Sequence, residues 1–310
     1  MAVTTLHTLS HIVVDVDGTD FNIYQIGDQS YNANLEQLIQ GGDGQVDSTF
    51  VAVGGQAPTM SFTTTDIKKV LDNTGISGLA IAPSVGTGVS AWLQKIAEGG
   101  TRTGGSNNIK LLMAKGMIVP RTLTAGHNVP ATIGVDLIAS YNLTALPFVI
   151  SGSAAITGTP TTADLWTCGK CVINGTVING VQSITIDFGL QIIQQGSDGI
   201  VYPTFVAVQS RQPMITIECV DATALTTFGL SGVAQSATDS VIYLRKIDEG
   251  GTRVADATET HISFTIDEGH VFVESISGGH NDPASVSITL TPTWDGSNDI
   301  IVIDTTAAIA

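Results

Sequence analysis

The chain has 310 residues, enough for about two ordinary domains. It carries 12 Lys and Arg against 28 Asp and Glu, a formal net charge of -16, yet only 13% of its residues are charged. Its acidity therefore reflects a shortage of cations, which excludes a basic nucleic-acid footprint; three Cys are too few for a disulfide framework and suit a reducing compartment.

In chain order, Met1–Thr5 lacks a basic start and an apolar core, which predicts no secretory signal, and residues 1–10 read as a loose polar arm. His11–Asp17 and Phe21–Ile26 read as strands. Leu35–Ile39 is apolar, the stretch 41–49 is a Gly-rich loop, and Phe50–Val53 and Met60–Thr64 are further strands. Thr65–Asn73 is the best helix signal: Thr65 or Asp66 caps it, Ile67, Val70 and Leu71 share a face, and Gly75 stops it. Strands follow at Ser90–Ile96, Ile109–Ala114 and Met117–Leu123, with a long one at Ile133–Tyr141. Small polar residues over 151–165 read as a linker. Beyond it, a second Gly-rich loop spans 196–204, a weaker helix spans Asp221–Phe228, and strands follow at Val241–Ile247, Ile262–Ile266, Val271–Ile276 and Ser285–Trp294. No apolar run approaches the roughly 18 residues of a membrane span.

The second series resembles the first because blocks of sequence return. Lys95-Ile96-Ala97-Glu98-Gly99-Gly100-Thr101-Arg102 recurs as Lys246-Ile247-Asp248-Glu249-Gly250-Gly251-Thr252-Arg253, 151 positions on. Phe50-Val51-Ala52-Val53 recurs as Phe205-Val206-Ala207-Val208, and at the same spacing of 155 Asp43-Gly44 matches Asp198-Gly199. Gly126-His127-Asn128-Val129-Pro130-Ala131 matches Gly279-His280-Asn281-Asp282-Pro283-Ala284, and Tyr141-Asn142 matches Trp294-Asp295. The matches stay collinear, which predicts two copies of one mainly β domain with minor α, a sandwich or barrel with one flanking helix, at 1–150 and 166–310. The opening segments, 11–40 and 170–195, differ, so the contacts of the two copies are expected to differ.

Several motifs invite chemical readings. Asp15-Val16-Asp17-Gly18-Thr19 after an apolar strand matches the nucleophile and acid–base pair of Mg²⁺-dependent haloacid-dehalogenase-type phosphatases, but that chemistry needs a parallel sheet with helical crossovers, which the rest of the chain does not predict. Asp15, Asp17 and Asp20 suggest a Ca²⁺ loop, but Ile26 stands where its closing Glu belongs. Cys168-Gly169-Lys170-Cys171 has redox spacing without a βαβ setting, so Cys168 and Cys171 read as free thiols, and Cys219 reads as a small strand residue. His127 and His280 recur with no nucleophile partner and read as turn residues. The Gly-Gly-Thr-Arg stretches read as strand–turn–strand, with Arg102 and Arg253 as candidate subunit contacts.

Through Phe50–Val53, Pro58 and Ser61–Ile67, and through the Tyr141-Asn142 and Trp294-Asp295 endings, the chain resembles the major tail tube proteins of long-tailed bacteriophages. The resemblance is one of layout and spans both copies. It implies a structural virion protein with no catalytic residue, cofactor or metal, made in the bacterial host cytoplasm and located in the tail. Single-domain members form sixfold rings, so a doubled domain implies trimeric rings of pseudo-sixfold symmetry, stacked around a channel. The implied partners are further copies of the chain, the tape measure, terminator and distal tail proteins, and DNA only as passing cargo. The turns at Asp43, Gly44, Asp198, Gly199, Arg102 and Arg253 are the candidate contact residues, with the loops 41–49 and 196–204 and the arm 1–10 between rings. A decoration protein, a distal tail ring or an adhesin is the alternative reading, and the DxDGT phosphatase a third.

Overall fold

Alternating side chains build most of this molecule. In Thr59–Thr64, Met60, Phe62 and Thr64 are buried while Thr59, Ser61 and Thr63 are half-exposed, the period-2 signature of a strand with one face on a core. The computed structural model describes the chain except for residues 1–4, 17–18, 43, 45, 82–87, 101, 103–104, 106, 159–163, 236–238 and 281–282, and describes backbone alone at 16, 19, 20 and 224. Among the described residues there are 24 strands and two short helices.

The first half runs β1 (Thr5–Val16), β2 (Thr19–Ile23), β3 (Ile26–Asn32), β4 (Leu35–Gly41), β5 (Ser48–Gln56), β6 (Thr59–Thr64), α1 (Ile67–Thr74), β7 (Leu79–Ile81), β8 (Gly88–Ala97), β9 (Asn108–Met113), β10 (Gly116–Gly126), β11 (Thr132–Ala139) and β12 (Val149–Ala154). The second runs β13 (Leu165–Ile173), β14 (Thr176–Ile178), β15 (Val181–Asp187), β16 (Leu190–Gln195), β17 (Phe205–Arg211), β18 (Met214–Cys219), α2 (Ala224–Phe228), β19 (Val233–Gln235), β20 (Ser240–Ile247), β21 (His261–Ile266), β22 (Glu268–Ser277), β23 (Ser285–Thr293) and β24 (Val302–Ala307).

The pairing scheme is the same in both. The order β12-β9-β8-β1-β2 forms one five-stranded sheet and β24-β21-β20-β13-β14 another. In the first half β10 pairs with β7 and β11, which continues to β6 and β3; in the second β22 pairs with β19 and β23, which continues to β18 and β15. β4–β5 and β16–β17 are separate hairpins. β15 also pairs with β10, and this fuses the two halves into a single ten-stranded sheet. Residues from the five-stranded sheets (Val14, Val89, Phe264) and the ten-stranded sheet (Phe62, Val135, Ile217) share one buried cluster.

The chain departs from expectation in four places. Of the expected arm 1–10, residues 1–4 lie outside the described residues, and 5–9 are not loose: they pair with Leu93–Ala97 of β8, with a bulge between Leu9 and Ile12. Of the expected linker 151–165, residues 151–154 belong to β12, which pairs with β9, and Leu165 opens β13, which pairs with β20; residues 159–163 lie outside the described residues. Asp66 stands at the N-cap of α1 without capping it; its carboxylate accepts from the Tyr24 N–H instead, at 3.2 Å. Of the DxDGT motif, Asp15 and Val16 end β1 and Thr19 opens β2, while Asp17 and Gly18 lie outside the described residues; among the described residues every strand pairing is antiparallel, which is not the parallel βαβ frame that a DxDGT nucleophile needs.

Candidate functional site

The two halves meet along a joint between β10 and β15. β10 divides its outer edge: Gly116–Ile118 pairs with β7 of its own half, and Thr122–Gly126 pairs with β15 of the other. The register is Thr122↔Asp187, Leu123↔Ile186, Thr124↔Thr185, Ala125↔Ile184 and Gly126↔Ser183. Two backbone bonds extend it, Phe188 N to Arg121 O at 2.9 Å and His127 N to Gln182 O at 2.8 Å. Leu123, Ala125, Ile184 and Ile186 are buried there.

Side chains lock the seam. Arg121 donates from Nε to Asp136 at 2.7 Å and from Nη1 to the Leu190 carbonyl at 2.7 Å. Lys115 Nζ donates to the Thr204 carbonyl at 2.7 Å. Tyr141 N donates to the Pro203 carbonyl at 2.7 Å, and its ring lies 5.6 Å from that of Tyr202. On the five-stranded side Ala131 N donates to the Trp166 carbonyl at 2.7 Å, and Thr167 Oγ1 to the carbonyls of Gly126 and His127. Lys68 of α1 donates to Thr305 Oγ1 of β24 at 2.7 Å.

The candidate turn residues divide between this joint and the open surface. Arg253 bridges back to Ile247 and donates from Nη2 to the His127 carbonyl across the joint at 3.4 Å. Arg102 makes the same bridge, to Ile96, but is exposed. Gly44 and Gly199 take positive φ (77° and 70°) in the connections of β4–β5 and β16–β17, as does Asp198 (57°). The β16–β17 connection reaches the base of the β4–β5 hairpin, where Gln56 N donates to the Val201 carbonyl at 2.9 Å. Asp43 lies outside the described residues. His127 serves the joint through its backbone, as a turn residue. Cys168, Cys171 and Cys219 are free and buried, and burial raises all three thiol pKa values.

Sequence reasoning anticipated β10 in part, at Met117–Leu123, but missed β15 and with it the joint. The equivalence of strands in the two halves follows from register. Leu123 faces Ile133 and Ile276 faces Val286, each 153 positions apart. Tyr31 faces Met60 and Ile186 faces Ile215, each 155 apart. The equivalents of two buried joint residues are exposed: Ile276 is 49% exposed where Leu123 is 0%, and Tyr31 is 41% exposed where Ile186 is 0%. Leu230 is 75% exposed where Ile76, 154 positions earlier, is 6%; Trp294, the equivalent of Tyr141, is 68% exposed. The β4–β5 hairpin exposes Leu35 and Val51, while their equivalents Leu190 and Val206 are buried or half-buried against the core.

No family model matches the chain, and no curated protein matches it in sequence.

Proposed function

We propose that this chain is a structural subunit that self-assembles into rings, and that the rings stack into the tail tube of a long-tailed bacteriophage. The observation that carries this reading is the directional joint: one half offers an acceptor edge and a cation-bearing rim, and the other a donor strand and a hairpin. The chain's outer ends repeat the open edge and the strand with its hairpin, one each, with Glu268 and Glu274 in place of the cations. Head-to-tail contacts of that kind generate closed rings or filaments. Two halves per chain make a trimeric ring with pseudo-sixfold symmetry the expected product.

The ten-stranded sheet supplies a surface suited to a conduit. Between its core-facing residues it turns Ser61, Thr63, Asp136, Thr185, Thr216 and Glu218 to the opposite face. Arg121 on this sheet is neutralised by Asp136. A hydroxyl- and carboxylate-lined wall repels a polyanion and gives it nothing to hold, which suits DNA as passing cargo. Tape measure, terminator and distal tail proteins are the partners this reading implies, in the virion tail after assembly in the host cytoplasm. No helix among the described residues is long and apolar enough to cross a membrane.

Negative-stain electron microscopy of the concentrated protein tests the reading. Stacked rings with a central hole are expected. Single rings that never stack favour a distal tail ring or decoration protein instead, and a persistent monomer overturns self-assembly.

A further inference from the structure

We infer that copies of this chain join by continuing the ten-stranded sheet: residues 275–279, at and just beyond the end of β22, pair antiparallel with 28–32 of β3 in the next copy. The register carried over from the internal joint places Ser275 opposite Asn32, Ile276 opposite Tyr31 and Ser277 opposite Ser30 of that copy. The inference takes from the proposed function only the closing of the ring; the contact itself rests on the geometry of the joint.

Three independent features support this partner. First, β22 divides its edge as β10 does: Gly269–Val271 pairs with β19, and among the described residues nothing pairs with the outer edge of 275–277. At the other end of the sheet β3 pairs, among the described residues, with β6 alone. Such open edges are templates for strand addition. Second, exposed apolar residues stand at both ends where their equivalents in the internal arrangement are buried or half-buried: Ile276, Leu230 and Trp294 at one end, Tyr31, Leu35 and Val51 at the other.

Third, a buried polar atom waits for the contact. Thr8 Oγ1 is buried with no hydrogen-bond partner. Thr8 stands opposite Gln94 in β1 as Thr167 stands opposite Arg245 in β13, so the two threonines are equivalent. Thr167 Oγ1 donates across the joint to the carbonyls of Gly126 and His127. The matching acceptors for Thr8 are the carbonyls of Gly279 and His280 in the neighbouring copy. Buried hydroxyls are rarely left unpaired, so this atom points to an absent partner surface. Exposed Arg102 takes the place of Arg253, and its matching acceptor is the same His280 carbonyl.

Cysteine pairs decide the matter in the full chain. Tyr31→Cys and Ile276→Cys are made singly, mixed in equal amounts and treated with a short bis-maleimide; the native thiols are buried and stay silent. Covalent dimers are expected in the mixture only, and the double variant is expected to give a ladder ending in a closed ring. Dimers from either single variant alone would mean a symmetric contact and overturn the inference. Particles that assemble under the microscope without cross-linking also overturn it, and leave the tube reading standing. Cross-linked rings that never stack uphold this contact and overturn the tube. Two further variants guard against misfolding. Ile276→Lys is expected to weaken assembly by about a hundredfold, because the ammonium would be buried without a partner. Thr8→Val, nearly isosteric, is expected to weaken it by about tenfold or less with thermal unfolding of the isolated subunit unchanged. Assembly unaffected by both overturns the inference.

Discussion

Asp66 shows how one buried carboxylate ties a helix to the sheets. It sits at the start of α1 and accepts from Tyr24 N, while Thr64 Oγ1 donates to the Tyr24 carbonyl and accepts from Asp66 N at 3.0 Å. Burial raises the Asp66 pKa; the Tyr24 N–H and the Lys69 charge pull it back only in part. A raised carboxyl pKa means that the folded state holds its proton more tightly than the unfolded chain. The stability this contributes is present in acid, below the ordinary carboxylate range, and is lost as pH rises through the raised value. Asp66→Asn keeps an acceptor for Tyr24 N and is expected to flatten that part of the pH profile, read by urea unfolding of the unassembled subunit. Asp66→Ala strands the Tyr24 N–H and is expected to cost about 1–3 kcal/mol. The three cysteines give a simpler expectation. Their buried thiols, all shifted up, are expected to alkylate slowly in the native protein and fully once it is denatured, by mass spectrometry.

Single elements reveal why parts of the fold were legible and others hidden. β6 and β18 keep the same alternation of core residues, and with the Phe50 and Phe205 blocks they gave up the repeat from sequence alone. β3 and β15 did not. Gln29-Ser30-Tyr31 occupies the edge of the sheet and Ile184-Thr185-Ile186 its interior, so equivalent backbones carry different residues. The equivalence of β3 and β15 was therefore hidden by the very difference in environment that defines the seam. β12 was read as part of a linker because Ser151, Gly152 and Ser153 are small; its place is fixed by pairing with β9, which no local signal announces. The turn from β15 to β16 is demanding in another way. Gly189 has φ 59°, and a Cβ there would lie 1.9 Å from the Gln212 carbonyl oxygen. Its equivalent Asn34 keeps a positive φ of 44°, with its side-chain amide bonded to the Ala57 carbonyl at 2.8 Å. Gly189→Ala is expected to destabilise by about 2 kcal/mol or more, seen as a lower unfolding midpoint.

At the scale of the whole molecule, charge separates the two kinds of seam. Lys115 and Arg121 clamp the internal one, and the residues 153 positions on are Glu268 and Glu274. Glu274 accepts from Thr289 Oγ1 at 2.7 Å and has no proton to offer a neighbouring carbonyl. A contact between copies thus brings carboxylates where the internal joint has cations, on subunits that each carry a net charge of -16. Screening should help: raising ionic strength from about 0.02 M to about 0.5 M is expected to lower the concentration at which the protein assembles, by sedimentation velocity. Assembly that weakens with salt would sink this account. Glu274→Arg restores the missing donor and is expected to favour assembly at low salt.

The two missing clamps have a mechanical consequence. A closed ring of identical chains would alternate stiff seams, pinned by Lys115 and Arg121, with softer ones that rely on backbone pairing and apolar contact. Under bending, pressure or mild denaturant, such a ring fractures at every second seam. Its fragments are whole subunits, never severed halves, and each can be fitted back into the wall it left.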